Sequence, residues 1–243
     1  MFMISPIYDK MNLFIIIFLI LIEVFAAIQL STTRTKSKQI KEYLLINRLE
    51  DSSSFHIKDP DQSLINYGNF DRCVTMPLNS VESSSSESLL TNQFNDQLIP
   101  IDLPHKTQIA QDVCRLNKLM LTYSEPSDTS LIVRLALMSD VRCSLWHEDY
   151  VKLRLVKTYY GIGTQWCDPY NKNIRAINYI SKLTNIPLHV NDKDINHLQS
   201  GDVLVMSGRN HPPYIPILHR SPPIDADTAM TNHKRLLLSI TLS

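Results

Sequence analysis

The stretch Cys143-Ser-Leu-Trp-His147-Glu148-Asp149-Tyr-Val-Lys-Leu-Arg154-Leu-Val-Lys-Thr158-Tyr159-Tyr decides how this chain is read. In an extended strand successive side chains face opposite sides, so His147 and Asp149 project together while Glu148 points away. A second histidine on a facing strand completes a set of three metal ligands. His219 fits that place, because it ends the apolar run 215–218 and the Pro222-Pro223 pair stops the strand just beyond its imidazole. Two imidazoles and one carboxylate on one side of a metal leave the opposite coordination positions open. With 8 His and 24 Asp plus Glu in 243 residues, a His-x-carboxylate triplet arises about once by accident. The weight therefore lies in the order of the parts around it.

Outward from that stretch, short aliphatic and β-branched runs separated by turn residues lie at 131–138, 141–146, 151–159, 203–206, 215–218 and 235–242. This pattern predicts a mainly β fold, an all-β barrel or jelly roll. One or two helices flank it. Over 107–123 the residues Ile109, Val113, Leu116, Leu119 and Met120 recur at helical spacing, which predicts an amphipathic helix on the barrel's outer face. A second helix is expected over 175–183, ending before Pro187. The turn Gly161-Ile162-Gly163-Thr164 has no third glycine and Pro169 follows soon after, so it reads as a tight connection beside the site rather than a dinucleotide loop.

The succession His147-x-Asp149, the strand 201–206, His219 and the basic residue Arg235 opening the last strand resembles the double-stranded β-helix, a jelly-roll or cupin-like barrel, of the Fe(II)/2-oxoglutarate oxygenases. That resemblance implies His147, Asp149 and His219 as ligands to Fe(II), and a basic residue gripping the far carboxylate of 2-oxoglutarate. Arginine suits the role, since its planar fork meets a carboxylate bidentately and keeps its charge. The candidates are Arg235, Arg220 and Arg154, with Thr158, Tyr159 and Trp166 as pocket walls. Residues 100 to 242, and above all 143–166 with His219-Arg-Ser-Pro-Pro and Arg235-Leu-Leu-Leu, also resemble the family known as domain of unknown function 1826. The chain departs from that pattern at Ile162, where the family has Pro, and at Gln165, where it has Glu. A non-enzymatic jelly roll holding Zn(II) alone is the alternative, which Cys143 or Cys167 would suit. A metal-free jelly roll serving as a structural or interaction protein is a third reading.

At 27.9 kDa and 44% hydrophobic, the chain has material for one core. Net charge is zero and the basic residues are scattered, so nucleic acid is not an expected partner; a small-molecule or protein substrate is. Cys73, Cys114, Cys143 and Cys167 have no C-x-x-C spacing and do not read as a disulfide framework. Residues 13–30 are apolar except for Glu23 and Gln29 and read as an anchor or signal segment over 1–30. Arg34, Lys36, Lys38 and Lys41 directly after it favour a membrane anchor with a cytoplasmic domain over cleavage and export through the secretory pathway, and a start at Met11 is a further option. The Ser-rich, polar stretch 31–95 reads as a linker with one short helix near 40–49, and 96–243 as the jelly-roll domain. His189, His197, His211 and His233 sit in loop-like contexts and read as surface histidines.

Overall fold

A computed structural model describes residues 55–58, 61–78, 94–100, 102–140, 143–212, 214–223 and 234–243. The expected segment at 13–30, the helix at 40–49 and His233 lie outside these. Among the described residues, no helix is long and apolar enough to cross a membrane.

Among the described residues, eight strands form two antiparallel sheets. They are β1 (Phe70–Pro77), β2 (Ser130–Met138), β3 (Leu153–Tyr160), β4 (Gln165–Trp166), β5 (Asn196–His197), β6 (Val203–Ser207), β7 (His219–Arg220) and β8 (Arg235–Leu242). The larger sheet has the order β1-β2-β8-β3-β6 and the smaller β5-β4-β7, so neighbours in space are distant in sequence. An eight-stranded, two-sheet arrangement of this kind is a jelly roll. The helices are α1 (Gln62–Ile65), α2 (Lys106–Leu121) and α3 (Lys172–Thr184).

Period-two alternation divides the large sheet into two faces. One face carries Leu131, Val133, Leu135 and Leu137 of β2, Leu155 of β3, Val203 and Val205 of β6, and Leu236, Leu238, Ile240 and Leu242 of β8. Against it packs α2 through Ile109, Val113, Leu116 and Met120, so the principal core lies behind the large sheet, as the helical periodicity predicts. Asp112 of α2 is buried there with Lys157, whose Nζ lies 2.7 Å from its carboxylate. The other face carries Arg134, Ala136, Met138, Arg154, Val156, Arg235, Leu237 and Ser239 and looks into the barrel.

Three expectations change. The boundary at 96 does not hold, because β1 pairs with β2 from Phe70↔Leu137 to Pro77↔Ser130, and Leu64, Met76 and Phe94 are fully buried in the main core. Of the strand expected at 141–146, the described residues 143–146 are irregular backbone, and the segment joins the small sheet at a single bridge, His147↔His219. The run 215–218 is not a strand either. Pro216 has no N–H to give, and the first ladder pairing begins at His219.

Candidate metal centre and anion site

The bridge that displaces the expected strand is what assembles the centre. His147 and His219 exchange both backbone N–H···O bonds at 3.0 Å, which sets their rings side by side with centroids 4.4 Å apart. Each ring Nδ1 lies on the carbonyl two residues back, Leu145 O at 2.9 Å for His147 and Ile217 O at 3.0 Å for His219. A carbonyl only accepts, so Nδ1 carries the proton in both neutral rings and Nε2 presents its lone pair. Both lone pairs converge on Asp149, at 3.7 Å from Oδ1 and 3.4 Å from Oδ2. One ligand atom from each of His147, Asp149 and His219 lies within 4.8 Å of the others, and among the described residues this is the one such group able to hold a metal ion.

Surrounding contacts fix that geometry. Arg154 donates to Asp149 Oδ2 at 2.8 Å and to Thr241 Oγ1 at 3.1 Å, while the backbone N–H of Arg209 donates to the Asp149 carbonyl at 2.8 Å. Burial favours the protonated Asp149 carboxyl, but its contact with the His219 ring and the nearby positive charge of Arg154 outweigh it and hold the pKa below the usual value. Burial and then the charge of His219 push His147 below its ordinary value, which favours the neutral, ligating form. Glu148 points to the opposite side, as alternation requires. Its carboxylate accepts from Asn178 Nδ2 at 2.5 Å, Lys182 Nζ at 2.7 Å and Arg209 Nε at 2.8 Å.

The same barrel cavity that reaches His147 and His219 is lined by Arg235. Its guanidinium donates only to hydroxyls: Thr164 at 2.6 Å, Ser221 at 3.1 Å and Thr158 at 3.3 Å. Among the described residues, no carboxylate stands within ion-pair distance of it. Burial lowers its pKa to about 10, which leaves it charged at neutral pH. The turn sensed from sequence at 161–164 supplies Thr164. Gly161 has φ 84°, and a Cβ there would stand 2.3 Å from Lys234 O, so the close approach to the start of β8 requires glycine.

His147, His219 and Arg235 line one cavity, with Asp149 against both imidazoles and Thr158 accepting from Arg235, while Arg154 and Arg220 also line it but are committed to other partners. Arg154 is committed to Asp149. Arg220 lies over the Trp146 ring at 4.4 Å and donates to Gln165 Oε1 at 2.7 Å. Tyr159 is no pocket wall, because it faces α2 and its hydroxyl donates to Asp112 Oδ2 at 2.9 Å. Trp166 sits in a small apolar cluster with Val156, Leu204 and Met206. Cys143 lines the cavity but is not in the ligand group, and Cys167 is buried with its thiol pushed up to about 12 by burial. His189 and His197 are exposed as expected, whereas His211 is buried against the Tyr214 ring. Sequence reading did not single out Thr164, Ser221 or Arg209; the Gly-x-Gly-Thr turn was the only signal for the first.

Fold and centre together define a double-stranded β-helix protein with a His-Asp-His cluster at the mouth of its barrel. The chain belongs to the family described as Protein of unknown function (DUF1826), which matches residues 63–240. No curated protein matches it. Among solved structures it is similar to the Fe(II)/α-ketoglutarate-dependent dioxygenase TqaL, with 11% identity, 80% of this chain and 72% of that one covered, and a TM-score of 0.37. It is similar to the rice dioxygenase for auxin oxidation, with 12% identity, coverage of 92% and 68%, and a TM-score of 0.35. It is also similar to hazelnut vicilin, with 13% identity, 46% of this chain covered and a TM-score of 0.25; the chain spans 24% of that protein's length. Strand order, not these overlaps, defines the architecture.

Proposed function

We propose that the chain is a non-haem Fe(II)- and 2-oxoglutarate-dependent oxygenase acting on a small molecule or a protein. The observation that carries this reading is Arg235, a half-buried cation whose partners among the described residues are hydroxyls, sharing a cavity with two imidazoles that stand against a carboxylate. A partly buried charge without a countercharge nearby is costly. A dicarboxylate whose one end reaches the metal and whose other end meets Arg235 relieves that cost with charge-assisted bonds.

His147, Asp149 and His219 would hold the iron as a facial set, and Arg235 with Thr164, Thr158 and Ser221 would hold the far carboxylate of 2-oxoglutarate. When bound, the metal and 2-oxoglutarate would activate dioxygen, the oxidant, for hydroxylation or demethylation, with 2-oxoglutarate giving up two electrons as it becomes succinate and CO2. The chain's own part is positioning. The Nδ1 bonds to Leu145 O and Ile217 O orient both rings with Nε2 toward the ligand cluster, and Arg154 favours the ionised Asp149 carboxylate and aims it. The apolar cluster of Val156, Trp166 and Met206 keeps bulk water from the barrel interior. Zn(II) alone would draw on Cys143 or Cys167, and neither is among the converging ligand atoms, which favours the iron reading.

The test is anaerobic titration of the full chain with Fe(II), then with 2-oxoglutarate, followed by the visible absorbance of the chelate and by calorimetry. His219→Ala is expected to lose stoichiometric metal binding. Arg235→Ala is expected to retain metal and weaken 2-oxoglutarate roughly tenfold or more, the worth of a charge-assisted hydrogen bond. Unchanged 2-oxoglutarate affinity in Arg235→Ala would remove the clamp assignment, and metal binding that never produces co-substrate binding would remove the oxygenase.

A further inference from the structure

A second cavity, of about 240 Å³, lies between α3 and the back of the 147–149 segment, away from the metal ligands. Its floor is apolar, built from Ile174, Ile215, Leu218 and the inert thiol of Cys167. Its rim carries charges that are unequally committed. Of the two carboxylates, Glu148 already accepts from Asn178, Lys182 and Arg209, and Asp168 accepts the Tyr170 N–H at 2.8 Å. Of the cations, Lys182 is engaged with Glu148. Lys172 and Arg175 also line the cavity, and among the described residues no carboxylate lies within ion-pair distance of either. The helix that carries them, α3, has no acidic residue along its thirteen positions. Three cations, Lys172, Arg175 and Lys182, thus stand against two carboxylates, Glu148 and Asp168, in the lining, so its net charge is positive.

We propose that this cavity binds a short-chain amphipathic anion, its charged group held by Lys172 and Arg175 and its alkyl part laid on Ile174, Ile215 and Leu218. An alkyl chain matches the floor, since apolar surface gains by covering apolar surface and nothing on that floor asks for a hydrogen bond. The volume limits the chain. It falls below the roughly 300–1,000 Å³ of sites for drug-sized ligands, so a long acyl tail does not fit inside. The site is separate from the barrel cavity and does not depend on the function proposed above, because Glu148 faces it while His147 and Asp149 face the other way.

The experiment is calorimetric titration of the full, metal-free chain with octanoate, with octanol and octylammonium as controls for charge. Octanoate is expected to bind once per chain and about tenfold more tightly than octanol, with octylammonium weakest. The double variant Lys172→Gln/Arg175→Gln, which changes two solvent-accessible side chains, should lose that preference while leaving octanol binding as it was. Ala176→Phe, which fills the cavity from the helix side, should abolish both. Equal affinity for octanoate and octanol, unsaturable binding, no binding, or an octanoate affinity untouched by the double variant each overturns the proposal. Mn(II) binding measured on the same preparations reports the barrel site separately, so failure of one reading leaves the other standing.

Discussion

Glu148 is the side chain whose position says most about how the centre is kept in shape. It stands between two proposed ligands, points away from both, and is tied to α3 through Asn178 and Lys182 and to the 209 loop through Arg209. Arg209 in turn donates its backbone N–H to the Asp149 carbonyl and stacks its guanidinium 4.6 Å from the Tyr150 ring. Burial works against the Glu148 carboxylate, yet Lys182 and Arg209 hold its pKa below the usual value. Removing it therefore releases the 147–150 segment from both neighbours at once. Glu148→Ala is expected to weaken Mn(II) binding about tenfold, the low end of what supporting residues of metal sites contribute. Calorimetry reads the affinity and far-ultraviolet circular dichroism checks the fold. A folded variant with wild-type affinity contradicts the role. The approach of His147 and Asp149 to each other was legible because a two-residue spacing is local information, even though 147–149 makes a single bridge and not a strand. The choice among Arg154, Arg220 and Arg235 was not, because it turns on which guanidinium finds a carboxylate, an aromatic ring or only hydroxyls, and the hydroxyls around Arg235 are up to 77 positions away.

Strands and helices with strong periodicity were equally readable. β2, β3, β6 and β8 follow the predicted apolar runs, and α2 and α3 the predicted helices, to within a few residues. β1 was not. It is an edge strand in which Asp71, Arg72 and Thr75 face outward and only Val74 and Met76 are buried, so its composition reads as polar linker. Arg134 pairs with Asp71 across the β1–β2 ladder, a contact no local pattern announces. The converse error arose at 143–146 and 215–218, where apolar runs do not make ladders: in the second, Pro216 interrupts, and Ile217 gives its N–H to Ser207 O instead. The consequence for β1 is testable. A chain beginning at residue 96 loses Leu64, Val74, Met76 and Phe94 from the main core. At roughly 1.5–3 kcal/mol per buried side chain, that is about 6–12 kcal/mol, comparable to the ~5–15 kcal/mol stability of a whole domain. The truncated chain is expected to lack a cooperative thermal transition, and one beginning at residue 55 to keep it. Cooperative melting of the shorter chain near the full-length midpoint would show that β1 is dispensable.

The metal-free protein as a whole should be sensitive to mild acid, and the sign follows from which groups shift and in which direction. The carboxylates held below their usual values, Asp149, Glu148 and Asp61, add stability that is fully present above about pH 4 and is lost only below it. They do not act between pH 5 and 6.5. In that window the relevant group outside the metal centre is His211. Burial and then the charge of Lys152 hold its pKa below 6.5, while Glu125 and Asp128 oppose the shift. The folded state therefore binds fewer protons than the unfolded chain just below pH 6.5, and stability must fall as pH drops through the interval down to the folded pKa, then level off. His211 is 5% exposed and packs 4.3 Å from the Tyr214 ring, so protonation in place is opposed by desolvation rather than relieved by solvent. His211→Gln removes the titrating ring while retaining a polar side chain of similar length. Urea denaturation at pH 7.5, 6.5 and 5.5 is expected to show the wild type losing more stability across this range than the variant, with equal m-values marking the same unfolding reaction. A wild-type profile as flat as that of the variant would place the acid response elsewhere.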